Sequence, residues 1–315
     1  MCKLLIVLVL QSAAVQDQNR SSMFVFQDNF WLNLHQYLRG EVYRRGAKLP
    51  LGVDPASLND ADRERWTAAI DSYVEIAKRN ILFDPSSVRI HNALAGVGDV
   101  VRLPDGSVER AVASALNDAA PIYRARVWPG RHAANEAWIA SAKAPLARYE
   151  TTVALTLAAT YRDEWPDDPI LVNLVGEVGP NSAITHSGPS GYGAHTQESS
   201  GSQRNGGYAP LELLFHEAAH AGIDRRLQAA IADESQRQRV PLAENLWHSI
   251  IMFTSGFVVR RELAKSGQMY SPYVDRYYQL TPVERSAFEQ DWQPYLDGRV
   301  SFERAMHDLV RDARY

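Results

Sequence analysis

Apolar residues recur at helical spacing along most of this chain and at strand spacing in only a few short stretches. Phe26, Phe30, Leu34, Tyr37-Leu38 and Val42 repeat every three to four positions, which predicts a helix from Phe24 to Arg45 with Asp28 or Asn29 as its cap. Trp66, Ile70, Tyr73-Val74 and Ala77 predict a second helix from about Asn59 to Arg79. Between residues 80 and 135 the pattern is broken by Pro85, Gly96, Gly98, Pro104-Asp105-Gly106, Pro121 and Pro129-Gly130. Helices are expected there at about Glu109 to Asn117 and at about Asn135 to Trp165, the latter kinked or divided at Pro145.

The texture changes after Pro166-Asp167-Asp168-Pro169. Ile170-Leu171-Val172-Asn173-Leu174-Val175 reads as a buried strand between turn residues. The segment Ala194 to Ser200 alternates weakly and is poor in apolar residues, so it is expected to be an edge strand. Pro210 opens a helix from Leu211 to about Ala230, and a further helix runs from near Leu242 to about Lys265, stopped by Ser266-Gly267. A tyrosine-dense stretch follows (Tyr270, Tyr273, Tyr277, Tyr278), then helical patterns near Pro282 to Trp292 and Ser301 to Arg311. The expected fold class is α+β and predominantly helical. Residues 20–165 form a mostly helical N-terminal region. Residues 166–315 form a second region holding a small mixed sheet and a C-terminal helical lobe, and the two are expected to make one compact unit.

Composition narrows the partners. A formal net charge of −4 and a pI near 6.1 carry no excess of Lys and Arg of the kind that tracks phosphates, which argues against nucleic acid. The single cysteine, Cys2, rules out a disulfide framework or a Cys-rich zinc ribbon. Lys3, the apolar run Leu4 to Leu10 and the small residues Ser12-Ala13-Ala14 have the order of a signal peptide over residues 1–15. The run is too short to span a bilayer, so the chain is expected to be exported, periplasmic or secreted, with no membrane span after cleavage.

The chemistry concentrates in His216-Glu217-Ala218-Ala219-His220, an H-E-x-x-H motif inside a predicted helix. Two histidines four positions apart lie one turn apart on one face, so both imidazoles reach a single Zn²⁺ while the intervening glutamate faces its water. Glu217 is the candidate general base. Leu211, Leu214, Phe215, Ala218 and Gly222 fall on a separate apolar face that can hold the ligands rigidly.

Over roughly residues 170 to 265 the chain resembles the zincin metallopeptidases of the gluzincin type. The resemblance rests on this motif and on a helix that follows Pro241. Around Leu246-Trp247-His248 and Trp292-Gln293-Pro294-Tyr295-Leu296-Asp297-Gly298 it is also similar to uncharacterised exported bacterial proteins. Arg226 stands where a metzincin would carry its third histidine, so that subclass is excluded. The resemblance implies a third ligand from a later helix, and two candidates stand there, Glu244 and His248. Glu244 has the gluzincin ligand type at a slightly long spacing. His248 lies in an apolar setting where an imidazole needs a partner, and it is preferred, with both left open.

The resemblance further implies a tyrosine or histidine opposite the metal to stabilise an oxyanion. Tyr270 is the first candidate, with Tyr273, Tyr192, His186 and His195 as others. It also implies a peptide or protein substrate lying along the edge strand Ala194 to Ser200. Zinc-dependent peptide hydrolysis is the function these readings favour. Hydrolysis of a non-peptide amide or ester, or zinc-dependent peptide binding without turnover, are the alternatives.

Overall fold

Phe24-Val25-Phe26-Gln27 form a strand, β1, where the apolar spacing predicted the start of a helix. Phe24 and Phe26 alternate with half-buried neighbours, and strand pairing outcompetes the helical register. The computed structural model describes residues 23–82, 84–179, 183–202, 206–243 and 245–313. The predicted signal segment 1–15 and Glu244 lie outside the described residues. The fold is α+β and mostly helical, with one small mixed sheet. The chain divides into two compact units: Met1–Ala144 with Asp168–Asn205, and Pro145–Asp167 with Gly206–Tyr315.

In the first unit, α1 (Phe30–Gly46) starts at Asn29, whose side chain accepts the Leu32 N–H at 2.9 Å and satisfies one of the free donors of the first turn. Next come α2 (Asp60–Ala77), capped by Asn59, then α3 (Pro85–Ala95), capped by Asp84, and α4 (Arg110–Arg126). Sequence periodicity missed α3 because its apolar positions are few. Phe30, Trp31, Leu34 and Tyr37 of α1 pack with Trp66, Ile70 and Tyr73 of α2 and with Leu116 and Tyr123 of α4. A side chain of that size contributes roughly 1.5–3 kcal/mol when removed from water. The helix α5 (Trp128–Tyr161) runs unbroken through Pro145, where the boundary between the units falls.

The sheet belongs entirely to the first unit. Its strands are β1, β2 (Ile170–Val175), β3 (Ala183–Ser187) and β4 (Ala194–Ser199), in the order β1-β2-β4-β3. β2 pairs in parallel with β1 and with β4, while β3 is antiparallel to β4. This differs from the expected division at 165/166. The backbone ladder from Ile170 to Phe24 and onward to Asn173 and Gln27 ties the sheet to the N-terminal helices rather than to the H-E-x-x-H region.

The expectation of an exposed edge at Ala194 to Ser200 is overturned as well. β4 is internal, with a neighbour on each side, and all six of its residues are buried. Its polar side chains are engaged by hydrogen bonds. His195 Nδ1 bonds to Asn92 Oδ1 at 2.8 Å, Asn173 Nδ2 donates to His195 Nε2 at 3.0 Å, and Gln36 Nε2 donates to Gln197 Oε1 at 2.6 Å.

In the second unit the helix expected from Leu211 to Ala230 is two helices, α6 (Ala209–Ala219) and α7 (Ile223–Gln238). The Ala221-Gly222 step separates them, so His220 is the C-cap residue of α6 rather than a mid-helix position. Pro210 sits in the first turn of α6, and every residue of that helix is buried. α8 (Leu246–Ala264) follows and is closed at Gly267, whose φ of +72° favours glycine. α9 (Pro282–Ala287) opens with a capping box between Thr281 and Glu284, and α10 (Phe302–Asp312) with Ser301 as cap. Phe253 of α8 stacks on Phe288, and Trp292 Nε1 donates to Thr254 Oγ1 at 2.9 Å, which fixes the C-terminal elements against α8.

Candidate metal centre

α6 is anchored by Leu211, Leu214 and Phe215, each almost fully buried, with Trp165 packed edge-on against Phe215 at 5.4 Å between ring centroids. That anchoring fixes the last turn, where His216, Glu217 and His220 stand. α8 brings His248 to them. One ligand atom from each of His216, His220 and His248 lies within 4.8 Å of the other two. The ring of His248 is 5.0 Å from that of His216 and 5.6 Å from that of His220. Of the two candidates for the third position, His248 is placed at the pair; Glu244 lies outside the described residues.

The electrostatics suit a cation. Burial, then the neighbouring His220 and His248, hold the His216 imidazole well below its ordinary pKa. Burial, then His220, brings His248 down to about 4. Both rings are therefore neutral at pH 7 and carry free lone pairs, the form in which imidazole binds a metal. His216 Nδ1 is buried with no hydrogen-bond partner among the described residues, an orphan of the kind that costs roughly 1–3 kcal/mol unless something satisfies it. Three imidazole nitrogen donors match the preference of Zn²⁺ for a tetrahedral set with one position left open.

Several neighbours complete the arrangement. Glu217 Oε1 stands 3.9 Å from His216 Nε2. Asp224 Oδ2 lies 3.7 Å from His220 Nδ1, beyond hydrogen-bond range. Tyr278 Oη contacts His248 Nδ1 at 3.2 Å and Ser249 Oγ at 3.1 Å. Trp247 packs edge-on against both His220 and His248.

Tyr270 is placed differently from the expectation. Its hydroxyl donates to Glu212 Oε2 at 2.5 Å, and the Tyr273 N–H donates to both oxygens of the same carboxylate at 3.0 Å. Glu212 is buried one turn before His216, and burial raises its pKa to about 7. A Cβ at Gly256 would come within 2.8 Å of Glu212 Oε1, so glycine leaves room for that carboxylate beside α8. The tyrosine at the histidines is Tyr278. Sequence reasoning gave no way to prefer it among four closely spaced tyrosines. His186 and His195 take part in a hydrogen-bond network within the first unit, to which Tyr192 also belongs.

Comparison of the chain with protein-family models, with curated proteins and with solved structures gives no match.

Proposed function

We propose that this chain is an exported zinc-dependent hydrolase of zincin type, with His216, His220 and His248 as its ligands and amide bonds of peptides as its substrate class. The observation that carries the reading is the convergence of three buried or half-buried imidazoles, two of them from an H-E-x-x-H motif. The third donor departs from the gluzincin pattern, because an imidazole from α8 takes the place of a carboxylate.

A zinc ion held there supplies Lewis acidity and an acidified water at neutral pH. Glu217 accepts the proton from the attacking water and returns it to the leaving amine, a role worth roughly 10²–10⁴ in rate. In the tautomer with Nδ1–H, His248 would donate a hydrogen bond to Tyr278 Oη, which would leave Nε2 as the donor atom for a metal. Asp224 draws the Nδ1 side of His220 in the same sense.

The test is zinc content and turnover on a peptide library for wild type, His248→Ala and Glu217→Gln. His248→Ala should lose zinc from this centre. Glu217→Gln should keep that zinc and lose hydrolysis by at least about 10²-fold. Zinc content insensitive to His248→Ala, or hydrolysis unchanged by Glu217→Gln, overturns the reading.

A further inference from the structure

A second mixed-donor cluster sits in the first unit, on a cleft of about 520 Å³. Asp28 follows β1, while His132 and Glu136 stand four positions apart on one face of α5. One ligand atom from each lies within 4.8 Å of the other two. The Asp28 side chain is only 4% exposed, although it is a carboxylate at the floor of an open cleft. Asn135 and Asn33 donate to its Oδ1, and His132 Nδ1 meets its Oδ2 at 2.5 Å. Trp128 stacks on the His132 ring at 5.4 Å and holds its orientation.

Charge is left unbalanced there. Among the described residues no Lys or Arg forms an ion pair with Asp28 or Glu136, and Arg124 is paired with Asp99 on the same cleft. Gln27 also lines this cleft. Two carboxylates and an imidazole whose ligand atoms lie within 4.8 Å of one another are all Lewis bases that a single cation can engage together.

We propose that Asp28, His132 and Glu136 form a second metal site, selective for a divalent transition-metal cation such as Zn²⁺ or Mn²⁺. Two oxygens and one imidazole nitrogen suit such ions better than Mg²⁺ or Ca²⁺, which take oxygen donors. Three protein donors leave coordination positions facing the cleft for water or a small oxygen-bearing ligand. The site is independent of the His216 centre, since its ligands share no residue with it.

The full-length chain, stripped with chelator and titrated with Zn²⁺ alone, tests this by stoichiometry and affinity. Two ions should bind per wild-type chain, and either Glu136→Gln or His132→Ala should leave one. Glu136 is exposed, so the melting temperature of Glu136→Gln should match wild type. The lost ion should bind at least about ten-fold more weakly. His248→Ala should also leave one, and His132→Ala combined with His248→Ala none. Zinc binding equal to wild type in both Glu136→Gln and His132→Ala overturns the second site. A single ion lost with His132→Ala but kept in His248→Ala supports it while sinking the hydrolase reading, so the two proposals fail separately.

Discussion

Replacing His195 by glutamine should reduce the acid sensitivity of the first unit by a calculable amount. His35, His91 and His195 are buried, and loss of hydration holds each well below the ordinary imidazole value of 6.5. The unfolded chain takes up protons as pH falls through that value, whereas the folded chain does not. The stability contribution is therefore complete above 6.5 and is lost progressively below it. Between about pH 7.5 and about pH 5.5, each such histidine lowers the unfolding free energy by about 1.4 kcal/mol, and the three together by about 4 kcal/mol. Carboxyls with raised pKa values, such as Glu212 at about 7, act in the opposite direction and partly mask the sum. The difference between wild type and variant is the quantity to read. Glutamine offers an amide donor for Asn92 and an acceptor for Asn173, but no titratable group. Urea unfolding at both pH values, followed by circular dichroism, should show the acid-induced loss smaller by about 1.4 kcal/mol in His195→Gln. Equal losses in the two proteins would refute the picture of His195 as a buried neutral base.

Three further outcomes are expected. Phe215→Ala should destabilise the second unit by about 3–5 kcal/mol in denaturant titrations, because the ring is wholly buried against Trp165 on the helix that carries the motif. Glu212→Gln should stabilise the protein more at about pH 8 than at about pH 5.5, by about 2 kcal/mol; a buried acid raised to about 7 is uncharged in acid and opposes folding once it ionises. Chelator competition should show zinc held about ten-fold more weakly in Tyr278→Phe and unchanged in Tyr270→Phe, and equal affinities in the two variants would separate Tyr278 from the metal.

Much of the helical architecture was legible because Trp66, Ile70 and Tyr73, or Leu214 and Phe215, recur at the spacing of a buried face. The β2 strand was legible for a related reason, since Ile170 to Val175 is a short apolar run broken only by Asn173 and bounded by turn residues. Phe24 to Gln27 was misread because Phe26, four positions before Phe30, extends the helical spacing upstream, while the parallel pairing with β2 decides for a strand. β4 was misread because Ala-His-Thr-Gln-Glu-Ser carries the polarity of an exposed strand, while its partners stand about 100 and 160 residues upstream in Asn92 and Gln36. In the candidate centre, the motif itself gave His216, Glu217 and His220. His248 could be preferred to Glu244 but not settled, and Tyr278 could not be chosen at all. Those choices depend on how α8 and the segment after it meet α6, which no local pattern records.

The polarity of β4 also bears on the order in which the first unit can assemble. A strand of Val and Ile gains from joining a sheet at once, because burial alone rewards it. β4 gains little until its side chains find donors and acceptors, and burying His195 or Gln197 without them costs roughly 1–3 kcal/mol each. Gln36 comes from α1 and Asn92 from α3, so these helices have to be in place before β4 settles between β2 and β3. β4 is therefore a late-closing strand, and a fragment lacking α3 should form β1 and β2 yet leave the middle of its sheet unfilled.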